Sequence, residues 1–189
     1  MFARLLKMAT ICVAAATPAV AGSARAQSTD GVEIAVTASV MERCGFSSDA
    51  AAVLNASADL EDAHSQSLVL RIDCNTPFAV TARSEEGRLT NRSASDDLSG
   101  YAFNKVYGLS LDVDTDTGLV RSGRCLSTGL VEGGDCILAR PSGLVSGDGV
   151  SIGGDATLTV DWPAQSSLGR RLAAGDYSDT VTISIAARA

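Results

Sequence analysis

The chain has 189 residues, of which 46% are hydrophobic and 4% aromatic, and its formal net charge is −7. A chain of this length can bury the core of one domain and is marginal for two. Its negative charge repels phosphate backbones and anionic lipid headgroups, so the composition argues against binding to nucleic acid or to a membrane surface.

Residues 1–26 have the pattern of a secretory signal peptide. Arg4 and Lys7 form a positive start, an apolar run follows, and Ala24-Arg25-Ala26 supplies an A-x-A cleavage site. The apolar run is too short for a stable membrane anchor. Removing this segment lowers the basic residues from 15 to 12 against 22 acidic ones, so the formal charge becomes −10. We therefore predict an exported protein that does not insert into a membrane after cleavage.

Cysteines remain in the predicted mature chain at four positions: Cys44, Cys74, Cys125 and Cys136. An even number in an exported protein indicates disulfides, for which three connectivities exist. We favour Cys44–Cys74 and Cys125–Cys136, because the second pair encloses a Gly-rich loop that can fold back on itself. The chain has no C-x-x-C and only one histidine, so no metal site is predicted.

The first strand pattern of the mature chain covers residues 32–40. Its apolar residues recur at every second position: Val32, Ile34, Val36, Ala38 and Val40. This period of two predicts a half-buried strand. The following segment, 45–66, is small and polar, and residues 50–60 fit either a short helix or a loop with one strand.

Further strands are predicted at 67–74, at 78–83, twice within 98–113, and at 119–120, 136–139 and 156–162. Turn and loop signals separate them, among them Asn75-Thr76-Pro77, the polar segments 85–87 and 91–99, and Pro163. Eight or nine short strands without a convincing amphipathic helix predict an all-β sandwich.

The C-terminal stretch, residues 175–185, has the clearest strand pattern of the chain. Gly175-Asp176 is a turn signal, and Val181, Ile183 and Ile185 then alternate with Thr182 and Ser184. A strand with β-branched residues on both faces needs a partner strand. That partner is either an earlier segment of the same chain or a segment of another molecule.

A cluster of alternate carboxylates, Asp112, Asp114 and Asp116, suggests a calcium loop. An EF-hand that starts at Asp112 would need Gly at Thr117 and Glu at Gly123, and it has neither. The sequence therefore predicts a polar hairpin connection here.

Catalytic residues are scarce. His64 lies in a polar, acidic stretch and is predicted to be a solvated surface residue, and no second histidine could complete a Ser-His-Asp or Cys-His arrangement. Neighbouring carboxylates such as Glu85 and Glu86 point apart on an extended chain, which makes them a poor acid/base pair. We predict a protein that is not an enzyme and needs no cofactor.

Several of these features together resemble the spore coat protein U domain family, whose members are secreted subunits similar to the pilins of archaic chaperone–usher systems. The features are the leader, the alternating run that ends at Val40 with Cys44 just after it, and the strand that closes on Cys74. They also include Pro77-Phe78-Ala79-Val80 and the ending Gly175-Asp176-Tyr177-Ser178-Asp179-Thr180-Val181-Thr182-Ile183. The resemblance spans most of residues 31–189.

The resemblance implies an immunoglobulin-like β-sandwich of pilin type, formed by residues 44–189, that lacks its final strand and has a groove beside its C-terminal strand. Residues 27–43 would be an N-terminal donor segment. The predicted acceptor residues are Tyr177, Val181, Ile183 and Ile185. The implied function is that of a structural, adhesive subunit of a pilus or coat, assembled by donor-strand complementation, in which a strand of one subunit completes the sheet of another.

The implied partners are a periplasmic chaperone, an usher and neighbouring subunits, and the implied location is the periplasm and then the cell surface or fimbrium. The sequence leaves a second hypothesis open. Residues 32–40 would then pair with residues 180–185 of the same chain, in a self-contained exported β-sandwich that binds a surface ligand such as a glycan.

Overall fold

The computed structural model describes residues 35–47, 54, 59–94 and 100–188, and these residues form an all-β structure, which confirms the predicted fold class. The predicted signal peptide, together with Val32 and Ile34, lies outside the described residues. The chain divides into two units, residues 1–39 and residues 40–189. Of the first unit only residues 35–39 are described, and they lie in no strand. The second unit contains the strands described below.

The second unit contains many short strands and a few long ones. In chain order the strands are β1 (Cys44–Phe46), β2 (His64–Cys74), β3 (Phe78–Ser84), β4 (Leu89–Asn91), β5 (Tyr101–Ala102), β6 (Asn104–Lys105), β7 (Gly108–Thr115), β8 (Gly118–Arg121), β9 (Cys125–Leu126), β10 (Leu144–Val145), β11 (Ser151–Trp162), β12 (Arg171–Leu172), β13 (Tyr177–Ser178) and β14 (Val181–Ala187). Single 3₁₀ turns lie at Ser127–Gly129, Ile137–Ala139 and Gln165–Leu168.

The larger sheet has the antiparallel strand order β1-β2-β11-β7-β8, and β9 also pairs with β7. Leu158 in its central strand lies opposite Leu68 on one side and Leu111 on the other. Because successive side chains of a strand point to opposite faces, the apolar residues at every second position share the inner face.

One bulge interrupts the pairing of β2 with β11, where the register shifts between Ile152 and Gly154. The extra residue, Gly153, has a φ of 62°, a left-handed conformation that glycine adopts without steric cost. The guanidinium of Arg71 donates a hydrogen bond to the Gly153 carbonyl at 2.9 Å. Both the glycine at this position and the Arg71 contact therefore stabilise the bulge.

The smaller sheet has the order β10-β3-β14, and two minor sheets join β13-β4-β6 and the parallel pair β12-β5. One buried core draws side chains from both principal sheets. Ile72, Leu111 and Leu158 come from the larger sheet, and Phe78 and Val80 come from β3. Burying these apolar side chains is the main favourable contribution to folding.

The structure contains both favoured disulfides, Cys44–Cys74 and Cys125–Cys136. The first joins two residues that face each other in the β1–β2 ladder. The second encloses the turn at Ser127–Gly129, in the Gly-rich loop where the sequence predicted it.

Two local predictions were wrong. The predicted strand at 136–139 is a 3₁₀ turn at Ile137–Ala139, because the Leu138 amide donates to the sulfur of the capping residue Cys136 at 3.3 Å and Leu138 is fully buried without a partner strand. His64 is half-buried in β2, and its ring centroid lies 5.2 Å from that of Trp162 in the neighbouring strand. The polar sequence around His64 gave no sign of this aromatic neighbour.

Candidate strand-acceptor slot

β14 is the end strand of the smaller sheet. It runs antiparallel to β3, from Val181 opposite Ser84 to Ala187 opposite Phe78. Its burial alternates as the sequence predicted. The half-buried residues Val181, Ile183 and Ile185 pack against the core, and the residues between them are exposed. The predicted acceptor residues of this strand therefore share one face.

The second edge of β14 has no paired strand within the described residues of unit 40–189. An unpaired edge presents a row of backbone N–H and C=O groups that can template another strand. Close to this edge lies β1, which is itself the end strand of the larger sheet and pairs only with β2 in the same part of the chain. Cα atoms of β1 and β14 approach within 8 Å of each other.

We call the space between the free edges of β14 and β1 the acceptor slot. Half-buried apolar side chains from both strands border it, with Phe46 on β1 and three residues on β14: Val181, Ile183 and Ile185. An extended segment placed in the slot could hydrogen-bond to the backbone of either end strand and add apolar side chains to the core. Two strands with a third between them lie about 9.6 Å apart, so a strand ligand fits at the edge of β14 only where β1 lies further from it than at their contacts within 8 Å.

Asp179 anchors the residues just before β14. Its carboxylate accepts hydrogen bonds from the hydroxyls of Ser84 and Tyr107, both at 2.6 Å, and from the backbone amides of Thr180 at 2.8 Å and Glu86 at 3.1 Å. Hydrogen bonds to a carboxylate are stronger than those between neutral groups. Asp179 therefore fixes the start of β14 against β3 and against the residue that precedes β7.

A hydrogen-bonded chain continues from this carboxylate into the loop after β3. The Gly87 amide donates to Ser84 Oγ at 2.7 Å, and Ser127 Oγ donates to the Gly87 carbonyl at 2.8 Å. Burial, followed by the hydrogen bond to Asp179, raises the pKa of Tyr107 above its ordinary value. The neutral phenol is thus the form that this network favours.

Tyr177 differs from the other predicted acceptor residues, because it lies in β13 and pairs with Asn91 of β4. Its hydroxyl lies 2.8 Å from the Ala173 carbonyl and 3.1 Å from that of Ala102. At Gly175, where φ is 145°, an added Cβ would come within 2.7 Å of the Asn91 side chain. Tyr177 therefore anchors the turn before β14 and does not border the slot.

The predicted donor residues are described only in part. Val36, Ala38 and Val40 are exposed, with Val36 at 88% and Val40 at 86%, and residues 35–40 lie in no strand. An alternating run forms a strand only when its backbone groups have partners. The predicted strand is therefore absent over these residues.

Lys105, the only lysine of the predicted mature chain, is 1% exposed, and its ammonium group donates to the Leu60 carbonyl. Burial lowers its pKa, while the carboxylates of Glu61, Asp59 and Asp62 act in the opposite direction. The sequence pattern gave no sign of this buried charge. Lys105 also borders a depression of about 290 Å³ together with Gln165, Leu168 and Arg170.

The remaining candidates serve local structure. The predicted hairpin between β7 and β8 is confirmed, with Asp112 paired to Arg121 and Asp116 accepting from the Val150 amide. Among the described residues, no group of three or more His, Cys, Asp or Glu side chains is placed to hold a metal ion. None of the helical turns in this part of the chain has the length and apolar character needed to cross a membrane.

No protein-family model matches the chain, and no curated protein matches it. The predicted resemblance to the spore coat protein U domain family therefore stays a prediction from the sequence features given above.

Proposed function

We propose that this protein is a non-enzymatic structural subunit of a surface pilus or coat, assembled by donor-strand complementation. The observation that supports this most directly is the unpaired edge of β14 beside the end strand of the larger sheet, within the described residues of unit 40–189. A strand from a second subunit would pair with this edge and fill the slot.

The donor in this proposal is the segment 27–43, whose residues 32–40 have the period of two that a slot with alternate pockets requires. Val36 and Val40 are large apolar side chains with nearly full exposure. Full burial of a Val or Ile side chain contributes about 1.5–3 kcal/mol, less the cost of ordering the segment. Burial of these side chains in a neighbouring slot would therefore favour transfer of the segment.

The same exposed edge explains the proposed partners. An unprotected edge strand promotes aggregation, so a periplasmic chaperone would cover β14 until an usher brings the next subunit. The acidic chain and the scarcity of exposed lysine favour docking through backbone and apolar contacts. Two disulfides require an oxidising compartment, which supports export to the periplasm and then to the cell surface.

The test is a variant that lacks residues 27–40 and retains Met41 onwards. We expect it to keep both disulfides, to form no SDS-resistant ladder, and to bind a synthetic peptide with the sequence of residues 30–41. The matched control peptide carries Val36→Asp and Val40→Asp and should not bind. A deletion variant that still forms ladders, or that stays unfolded with the peptide present, would contradict the proposal.

The alternative, a self-contained glycan-binding domain, gives a different outcome. The full chain would then be a reversible monomer, and deletion of residues 27–40 would remove a core strand and unfold it. Glycan binding would be tested at the depression beside Lys105 through Gln165, whose side-chain oxygen is buried without a hydrogen-bond partner among the described residues. Loss of binding in Gln165→Ala, with no ladder in the parent protein, would favour this alternative.

A further inference from the structure

The residues immediately before β1 are held by one side chain, that of Asn75. Its amide oxygen accepts from the Arg43 backbone N–H at 2.8 Å, and its amide nitrogen donates to the Met41 carbonyl at 2.9 Å. The Asn75 backbone N–H donates to the Arg43 carbonyl at 3.1 Å. Residues 41–43 are thus attached to the turn between β2 and β3 through their backbone groups.

This use of Asn75 is unusual for a turn residue. An asparagine at the start of a turn commonly bonds to the backbone about two residues further on, as in an Asx-turn. Here both polar atoms of the side-chain amide bond to residues 41 and 43, more than 30 positions earlier in the chain. An ion pair between Arg43 and Asp73, at 3.0 Å, adds a second attachment beside it.

The attachment sets the direction in which the N-terminal segment leaves the domain. Cys44 is paired with Cys74, and the bond from Asn75 to Arg43 continues that ladder one residue beyond β1. β14 ends at the same place, because Ala187 lies opposite Phe78 and the Arg188 amide donates to the Pro77 carbonyl at 2.8 Å. Residues 41–43 therefore join β1 at the end of the slot where β14 finishes.

A segment that entered the slot of its own molecule would have to reverse direction just before β1. Such a reversal is a turn of about four residues, usually closed by hydrogen bonds between its own backbone groups. At Met41 and Arg43 those groups, two carbonyls and one N–H, are already bonded to Asn75. The Asn75 contacts therefore compete with a hairpin between residues 32–40 and β1.

We propose that Asn75 is a positioning residue that selects a second copy of this chain as the partner of the donor segment. By holding residues 41–43 beside the turn between β2 and β3, it disfavours insertion of residues 27–40 into their own slot and directs them to a neighbour. This inference rests on the proposed function, since it presupposes that these residues are a donor strand.

The test compares variants of the full-length, disulfide-bonded chain after refolding at equal concentration. In Asn75→Ala we expect a several-fold rise in the ratio of self-complemented monomer to polymer ladder, both read by SDS gels with and without heating. Asn75→Asp keeps the atom that accepts from Arg43 and loses the donor to Met41, so its ratio should lie between those of Asn75→Ala and the parent. In the control, Arg71→Ala removes a side chain on the adjacent β2 that bonds to Asp155 and Gly153, and its ratio should not change.

The inference is overturned if Asn75→Ala folds and gives the same ratio as the parent chain. Should Asn75→Ala fail to fold by circular dichroism, Asn75→Asp is judged by the same ratio. An unchanged ratio in Asn75→Ala or Asn75→Asp leaves the proposed function intact if deletion of residues 27–40 still abolishes the ladder. Ladders formed without residues 27–40 would instead overturn the proposed function itself.

Discussion

The two principal sheets differ in how completely their strands are paired. In the larger sheet the three long strands, β2, β7 and β11, are each paired on both sides. In the smaller sheet only β3 is paired on both sides among the described residues, and β14 has one partner. Both sheets contribute to one core, so the difference lies in the edges rather than in the quality of the packing.

On the solvent-exposed side of the larger sheet, several charged side chains are paired. Arginine and aspartate side chains pair there across strands and at the sheet margins: Arg43–Asp73, Arg71–Asp155, Arg121–Asp112 and Arg124–Asp161. The hydroxyls of Ser67 and Thr159 also meet across β2 and β11 at 2.8 Å. A face with paired charges has little to offer another strand, whereas the edge of β14 offers a free backbone.

The largest expected effect comes from comparing one apolar side chain in each sheet. Leu158→Ala, in a strand paired on both sides, should lower the free energy of unfolding by about 2–5 kcal/mol because it leaves a cavity. Ile183→Ala should cost less, because Ile183 is half-buried at the open edge. Urea unfolding of the monomeric chain measures both values.

Occupation of the slot should narrow the difference between the stability losses of Leu158→Ala and Ile183→Ala. With the peptide of residues 30–41 bound, Ile183 would be covered, and the cost of Ile183→Ala should rise towards that of Leu158→Ala. If Ile183→Ala costs as much as Leu158→Ala before any peptide is added, the slot is already filled in the monomer. The hypothesis that residues 32–40 pair within their own chain would then be favoured.

A second comparison concerns the anchor at the start of β14. Tyr107→Phe removes the hydroxyl that bonds to Asp179 at 2.6 Å and should cost about 1.5–3 kcal/mol at neutral pH, the range for a hydrogen bond to a charged group. Tyr101→Phe, at a position that is 50% exposed, is the matched control and should cost little. Urea unfolding of the two variants beside the parent chain gives the difference.

The pH dependence of the same variant follows from the raised pKa of Tyr107, whose first cause is burial. A group whose pKa is raised by folding stabilises the fold fully below its ordinary value, which is about 10 for tyrosine. That contribution is lost as the pH rises from the ordinary value towards the raised one. The difference between the parent chain and Tyr107→Phe should therefore shrink above about pH 10, and a constant difference would contradict this assignment.

Local periodicity was enough to predict most of the length of the long strands. Alternation at 67–74, 78–83 and 156–162 corresponds to β2, β3 and the later part of β11, because a half-buried strand repeats every two residues. The two-residue strands β5, β6 and β12 were not predicted one by one, since partners distant in the sequence determine them.

The polar contacts of the site were beyond sequence reasoning for a similar reason. Ser84 and Tyr107 lie 95 and 72 positions from Asp179 in the sequence, and no spacing pattern connects the three residues. The sequence predicts a turn at Asn75, which is correct but leaves out the bonds of its side chain to Met41 and Arg43. Apolar pattern therefore predicted the strands, while the contacts that position β14 and the N-terminal segment required the three-dimensional structure.

The smallest expected effect tests the charged face of the larger sheet. Arg121 and Asp112 lie 3.4 Å apart, and 67% and 39% of their side chains are exposed. Exposed ion pairs of this kind contribute about 0–1 kcal/mol, so Arg121→Ala should change the free energy of unfolding by less than about 1 kcal/mol. In about 1 M salt the Debye length is about 3 Å, so the difference should become smaller still.

Arg121→Ala also tests whether the charged face of the larger sheet takes part in assembly. Its side chain lies on β8, at the opposite end of the larger sheet from β1, so the acceptor slot is unchanged by its removal. The ladder on SDS gels should therefore match that of the parent chain. A weaker ladder from Arg121→Ala would mean that subunits also meet through the charged face, because a variant with normal stability and an intact slot can lose assembly only by losing a second contact between copies.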